Sequence, residues 1–516
     1  MIFLAEHAPV LAIAVPLLAA FLMPLLGRAG AKIRNLVAFA AIAFAGIEVA
    51  LLALNVLANG VVTYAVGAIA PGLVSPAGFP VRIVMEIDAL STFMAVASVS
   101  IALLACVYSM QAMKKHENLD KYFALMLLMT AAMLGMVFTG DLFSLFVFLE
   151  ILSIASAGLI AFYSGRGESA EAGFKYLAVS SVAALMVLLA AGFLYSQYNL
   201  LNMAALAGAM RFSFLDKFAL VLLASAFALK CGAVPLHMWV SDAYGEAPAA
   251  VSAMLVVASQ AGLYALFRVG FTLYGSMPLI DLLGLAMIVL GVLSMFIGVT
   301  MAIKQSDIKR LMAYHAVSQT GYMLLGVGVG LSVLGNAAMV SEFGFRAIQG
   351  GLFHVFNHAL YKGLLFFTAG AVFYVAGTRD MNKLGGLAHK MPYTAVFFLF
   401  GALAIAGMPP FNGFASKLII YESVFEFSPV LSAIAMVVSL LTLASFVKAF
   451  SGIFLGPKEA VQAGVKEVPI GMLAPMAILA ALVLLFGLFP DLVLEWLVNP
   501  AVNALLGQCG YIGAVV

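Results

Sequence analysis

The chain has 516 residues, 65% of them hydrophobic and only 9% charged, with a formal net charge of +2. Soluble domains carry about 25% charged and about 45–50% apolar residues, so this composition excludes a soluble fold. The near-zero charge, without a basic tract, excludes nucleic acid as a partner.

Apolar runs about 20 residues long recur from end to end, which makes the lipid bilayer the solvent and excludes a single anchor on a soluble domain. Alternating ten-residue segments of the outer-membrane barrel type are absent. The expected fold class is all-α, a polytopic membrane protein. In chain order the runs predict about fourteen helices, near 9–27, 35–58, 84–110, 122–138, 141–163, 173–197, 218–238, 250–273, 280–302, 308–333, 346–376, 393–425, 430–455 and 468–498. The opening "MIFLAEHAPVLAIAVPLLAAFL" lacks the basic lead of a cleaved signal and reads as the first membrane helix. The runs 346–376 and 393–425 are long enough to tilt, break or outrun the bilayer. The loop near 59–83, rich in Gly, Pro and Val, predicts a short hairpin.

Basic residues alternate with this helix count. Loops after odd-numbered helices hold Arg28, Lys32, Arg34, Lys114, Lys115, Lys121, Arg166, Lys175, Lys304, Lys309, Arg310, Arg379, Lys383, Lys390, Lys458 and Lys466. The opposite loops hold only Arg82, Arg211, Lys217 and Arg346. The positive-inside rule then puts the charged loops in the cytoplasm and both termini outside, in a cell membrane. The cysteines, Cys106, Cys231 and Cys509, show no CxxC spacing, so neither a disulfide nor a thiolate metal site is expected. Glycine-rich nucleotide loops, Fe–S cysteine runs and nucleophile elbows are missing. No cofactor or metal is expected, and redox or hydrolytic chemistry would belong to another chain.

Ionisable side chains inside the runs are the candidate functional residues, because a lysine or aspartate at a helix centre costs roughly 2.5–3.5 kcal/mol on insertion scales. They are Glu48 and Glu150; Lys230, Arg268, Lys362, Lys417 and Lys448; and His315, His354 and His358. Glu150 lies near the middle of its run, and Ser153, Ser156 and Gly158 after it favour close helix packing. Pro235 follows Lys230, and Pro409, Pro410 and Gly413 precede Lys417. Proline cannot donate the hydrogen bond of a continuous helix, so the seventh and twelfth helices should break there, where water can enter. Two interrupted, lysine-bearing helices far apart in sequence suggest a duplicated unit. "FHVFNHALYKGLLFF", residues 353–367, sets His354, Asn357, His358, Tyr361 and Lys362 on one helical stripe. Zinc would need further ligands and HExxH is absent. Histidines one turn apart on one helix cannot clamp both faces of a haem. A structural polar face and a hydrated proton wire remain; the wire fits the residue types better, since imidazole both accepts and donates.

Three segments resemble those of one family. "PLHMWVSDAYGEAPAAVSAML", "KQSDIKRLMAYHAVSQTGYMLLG" and "AGMPPFNGFASK" are similar to the signatures PxHxWLPDAHxxAPxxVSAxL, DIKRLLAYSSISHxGYxLLG and GxPPxxGFxxK of antiporter-like proton-translocating membrane subunits. That family includes complex I antiporter-like subunits, the large Mrp sodium/proton antiporter subunits and relatives in membrane-bound hydrogenases. The resemblance covers roughly 85–460. It implies inverted five-helix repeats, here 122–273 and 280–455, after a three-helix segment 1–110 and before a last helix 468–498, with helices 7 and 12 discontinuous.

The resemblance also implies that protons move along Glu150, Lys230, His354, His358, Lys362 and Lys417, with Gln260, His315, His237 and Lys448 extending the polar axis. Gln260 stands where many members carry lysine or histidine, and His315 where serine is frequent. A lysine at 417 fits the D-type Mrp subunit or its hydrogenase-like counterpart better than the complex I type with glutamate there. The partners implied are other membrane subunits of a complex, with protons and sodium as the ions. Competing readings are an assembly subunit without transport of its own and a stand-alone secondary transporter.

Overall fold

The structure, a computed structural model, describes residues 2–66, 83–163, 165–456 and 465–515. Helices α1 (Ile2–Leu26) and α2 (Ala31–Asn59) lead into strands β1 (Val62–Ala65) and β2 (Val84–Ile87). Then come α3 (Ala89–Ala112), α4 (Leu119–Phe138), α5 (Leu142–Ile160), α6 (Gly167–Tyr198) and the short α7 (Met203–Ala209). Helices α8 (Phe214–Lys230), α9 (Met238–Glu246) and α10 (Ala249–Phe267) follow, the last continuing as a π-helix over Arg268–Leu273. Next are α11 (Asp281–Ile303), α12 (Ile308–Ser332), α13 (Ala337–Met339), α14 (Phe345–Ala376), α15 (Pro392–Ala406), α16 (Asn412–Phe427), α17 (Pro429–Phe454) and α18 (Ile470–Leu488). The chain closes with α19 (Asp491–Val493), α20 (Asn499–Leu506) and α21 (Gln508–Ile512).

This is a polytopic all-α membrane protein. Among the described residues eleven helices are long and apolar enough to cross a membrane. The three further helices of the expected fourteen fall short for two reasons. α12 carries Lys309, Arg310, His315 and Gln319, which dilute its apolar character. The predicted twelfth helix, 393–425, is two pieces, α15 and α16, while the predicted seventh, 218–238, shrinks to α8 because its last turns are the break 231–237 and α9 begins only at its expected end. Side chains such as Phe21, Phe174, Phe214 and Ile470 are strongly exposed on the outside of the helix bundle. The hairpin expected after α2 is present: Val62 pairs with Ile87 and Ala65 with Val84, antiparallel. Arg82 and Lys458, used in the loop-charge pattern, lie outside the described residues.

Helix starts follow local chemistry. Asp88, Asp141 and Asp307 cap α3, α5 and α12 by accepting backbone N–H groups of the first turn, and Ser213 with Asp216 forms a capping box on α8. At the centre stands α14, buried at every residue from Gly350 to Val372 and packed against α3, α10, α12, α15, α16 and α18.

Both breaks leave backbone groups that neighbouring side chains satisfy, as membrane depth requires. In the first, spanning 231–237, Val234 N donates to Ser294 Oγ of α11 (2.9 Å) and Trp239 Nε1 to Leu229 O (3.1 Å). In the second, spanning 407–411, Lys417 Nζ donates to Ile405 O (2.8 Å) and Ser439 Oγ to Ala406 O (2.8 Å). Gly413 lets the halves meet: a Cβ there would lie 1.8 Å from Ala404 O. Gly413→Ala is therefore expected to cost about 1–3 kcal/mol by overpacking. Thermal melting of the purified protein checks it, and an unshifted transition would contradict the close approach.

Candidate functional site

Buried polar residues on α8, α10, α12, α14 and α16 make up the candidate row. At one end Lys230 closes α8. Its ammonium donates to Ser153 Oγ on α5 (3.1 Å) and to Tyr176 OH (3.3 Å) and Ser180 Oγ (3.1 Å) on α6, and it sits 5.1 Å from the Tyr176 ring centroid. Glu150, three residues before Ser153, is half-buried and makes no ion pair with Lys230 within 4.0 Å, although the lysine charge acts on its carboxylate. Hydroxyls of α5 and α6, not the Glu150 carboxylate, hold the ammonium.

Gln260 on α10 begins the middle of the row. Its Nε2 donates to Val355 O (2.9 Å) and to His358 Nδ1 (2.9 Å). The amide N–H makes His358 Nδ1 the acceptor, so the neutral ring carries its proton on Nε2. One turn earlier, His354 Nε2 lies 3.1 Å from Gln319 Oε1, which can only accept, while Nδ1 lies 3.0 Å from Ser416 Oγ. The Tyr361 hydroxyl joins the same knot, 3.2 Å from His354 Nε2, and the two imidazoles are 6.5 Å apart and nearly parallel. Asn357 fastens this stretch to α16 by exchanging hydrogen bonds with Asn412.

Lys362 continues the stripe, donating to Met312 O on α12 with the Phe366 ring beneath it. His315, three residues past Met312, bonds Ser445 Oγ (2.8 Å) and packs on Phe446. At the far end Lys417 donates to Ile405 O and to Ser439 Oγ (3.0 Å), 4.6 Å above the ring of Tyr322, which in turn faces His354. Among the described residues none of Lys230, Lys362 and Lys417 is ion-paired.

Among the described residues the buried Gln260 Oε1, His358 Nε2, His315 Nδ1 and Gln319 Nε2 have no hydrogen-bond partner, and neither has Asn412 Oδ1. Buried polar groups are satisfied in the great majority of cases, by water when not by protein.

Two expected members stand apart. His237 lies in the first break beside Pro235, with Nδ1 unpartnered and no contact to the others. Lys448 is exposed and reaches the end of α11, donating to Ile303 O (2.8 Å) and Gln305 O (3.2 Å). It caps a helix terminus and is not part of the buried axis. Glu48 is buried on α2, away from the row. Among the described residues no group of three or more His, Cys, Asp or Glu could hold a metal ion.

Two clusters escaped the sequence reading. At the face carrying most basic loops, Arg379 binds Glu246 (3.0 and 3.1 Å) and Asp307 (3.0 Å), while Arg310 binds Asp242 (3.2 Å) and Lys309 donates to Ala247 O. This clasp ties α9 to the start of α12. At the opposite face Arg268 forms two hydrogen bonds to Asp88 (2.6 and 2.7 Å), with Tyr264 and Ser91 around it. Burial opposes charge on Asp88, but the guanidinium outweighs it and holds the carboxyl below the usual range. The sequence signal for the second cluster was the lone in-run Arg268; the first consists of ordinary loop charges that only the fold unites.

This geometry can be set beside known proteins. Residues 139–442 match the family described as NADH:quinone oxidoreductase/Mrp antiporter, TM, and residues 74–123 match NADH-Ubiquinone oxidoreductase (complex I), chain 5 N-terminus. The chain belongs to the NADH:quinone oxidoreductase/Mrp antiporter transmembrane family. Within that family, NADH-quinone oxidoreductase subunit N of Desulforudis audaxviator is 36% identical over 443 residues, 81% of this chain and 84% of its own. The D-type Na(+)/H(+) antiporter subunit of Alkalihalophilus pseudofirmus is 29% identical over 442 residues, 85% and 86% of the two chains. The A-type antiporter subunit of the same organism is 34% identical over 445 residues, 81% of this chain but only 54% of that longer one. The Mrp complex from Dietzia sp. DQ12-45-1b contains a chain that superposes with a TM-score of 0.86 at 28% identity, over 99% of both. A chain of the membrane-bound sulfane sulfur reductase, an archaeal respiratory membrane complex, does so with 0.87 at 25% identity, over 99% and 100%.

Proposed function

We propose that this chain is an ion-translocating membrane subunit of a multisubunit complex and conducts protons sideways along its buried row. The observation that carries the reading is the set of buried polar atoms without a partner, Gln260 Oε1, His358 Nε2, His315 Nδ1 and Gln319 Nε2, on α10, α12 and α14. Glu150 and Lys230 pair in one state and part in another, so that the lysine alternately holds and passes on a proton, and the two titrate as one coupled unit. His358, His354 and Lys362 conduct between that site and Lys417, which exchanges with one side of the membrane. Gln260 orients His358 and water; as an amide it carries no proton itself.

The architecture we assign is two five-helix units, 122–273 and 280–455, each with one broken helix, flanked by residues 1–110 and 468–498. Both termini face outward. Moving one charge against 100 mV costs roughly 2.3 kcal/mol, so the drive comes from a sodium or proton gradient or from a redox module in partner chains. Relatives that are Mrp antiporter subunits support the first source, and the archaeal respiratory complex the second. Carboxylates suited to sodium are sparse along the row, which favours protons within this chain.

Glu150→Ala, Lys230→Ala and Lys417→Ala are expected to assemble normally, seen on native gels, and to lose ion transport in vesicles. Loss of assembly with normal transport per assembled complex would instead identify a scaffold subunit. Uptake of an organic solute by the purified lone chain would identify a stand-alone transporter.

A further inference from the structure

We propose that Glu86 is a proton-exchange site at the membrane face that carries the β1–β2 hairpin, joined to the central row by a polar stripe on α10. The inference rests on the conduction reading above and supplies one of its outlets.

Glu86 sits in β2 and is fully buried, yet among the described residues neither carboxyl oxygen makes a well-formed hydrogen bond. The Tyr511 OH and Asn202 Nδ2 lie close enough to act on the carboxyl, and among the described residues neither makes a well-formed hydrogen bond. Gly140 backs the carboxyl so closely that a Cβ there would come within 2.8 Å of Glu86 Oε2. The charged groups facing it are Asp88 and Arg268, which neutralise one another through their paired hydrogen bonds. Asp141, next to Gly140, is occupied by the N–H of Ser144 (2.6 Å). Among the described residues no cation is Glu86's own, and burial, opposed by Arg268, lifts its carboxyl to about 9. It carries a proton at neutral pH. A residue needed only for packing would not leave a buried carboxyl and two neighbouring donors without well-formed hydrogen bonds.

When the O–H bond breaks, the proton leaves to water on that face. The carboxylate left behind can accept from Tyr511 OH and Asn202 Nδ2 and is steadied by Arg268; uptake reverses these steps. The link inward lies on α10, where Gln260, Tyr264 and Arg268 share one face at i, i+4 and i+8, a rise of roughly 12 Å. Gln260 touches His358. The Tyr264 hydroxyl lies 3.0 Å from Ser91 Oγ and 3.3 Å from Arg268 Nη2, and Arg268 reaches Asp88. The stripe begins at the imidazoles and ends at the carboxyl cluster.

The test is Glu86→Gln in the assembled complex, which keeps size and removes the site. Proton transport in vesicles is expected to fall at least tenfold with assembly intact, and Glu86→Asp to restore part of it. Transport at the unmutated rate overturns the proposal. Loss in Lys230→Ala beside normal Glu86→Gln then leaves the central row standing, whereas normal rates in both refute both. If Glu86→Gln does not assemble, Tyr511→Phe decides. Losing a donor to the carboxylate should move the half-maximal pH of transport upward, and an unchanged profile counts against Glu86.

Melting supplies a second readout. Between about 4.5, the ordinary value, and about 9 the folded chain keeps a proton that the unfolded chain has lost, so burying Glu86 costs more stability as pH rises across that window. Glu86→Gln lacks this dependence. Its melting temperature should therefore gain on the unmutated protein with rising pH, and a constant difference would show that Glu86 is already charged.

Discussion

Replacing Lys362 by methionine is expected to abolish proton transport while making the protein more stable. The ammonium lies fully buried on α14, its partners being the Met312 carbonyl and the Phe366 ring, with no carboxylate within 4.0 Å. A lysine at that depth costs roughly 2.5–3.5 kcal/mol on insertion scales, and methionine, unbranched and flexible, fills a similar volume without that cost. Melting of the purified complex should therefore rise by an amount corresponding to as much as about 3 kcal/mol. Vesicles holding the variant should show only the leak of empty ones. Opposite signs are the point of the experiment. A lysine kept for packing or assembly would lose stability and transport together, and a fall in melting temperature would contradict the relay role.

Arg268→Ala is expected to be the most destabilising single change outside the row, by about 3–5 kcal/mol. It strands Asp88, fully buried at the N-cap of α3, beside the equally buried Glu86. It also removes the guanidinium that packs 4.5 Å from the Tyr511 ring centroid, loosening the C-terminal segment. Yield and melting temperature report the loss. Asp88→Ala added to Arg268→Ala should recover much of it, because no unpaired charge then remains. A double variant as unstable as the single one would show that the ion pair is not the cause.

These two lysine and arginine sites show how unevenly the structure could be read from the chain. Composition alone demanded membrane helices. The 3.6-residue period placed His354, His358 and Lys362 on one face, and α14 presents them inward. Proline foretold both breaks, which fall at 231–237 and 407–411, inside the predicted helices. What the sequence cannot express is which helix supplies a buried group's partner. Ser153, Ser180 and Ser439 look like ordinary small membrane residues until α5, α6 and α17 bring them to Lys230 and Lys417. Asp88 and Arg268 are 180 residues apart. Lys448 misled because a long side chain near the end of an apolar run can snorkel to a helix terminus, so its place in the run says little about its depth.

The central claim is that water joins the polar groups between Lys230 and Lys417, and an experimental density map of the assembled complex, sharp enough to show ordered water, tests it most directly. The account predicts water bridging Lys230 Nζ, Gln260 Oε1 and His358 Nε2, and water at His315 Nδ1 and Gln319 Nε2. Apolar side chains filling those gaps, with the lysines sealed in separate dry compartments in both resting and working states, would contradict it.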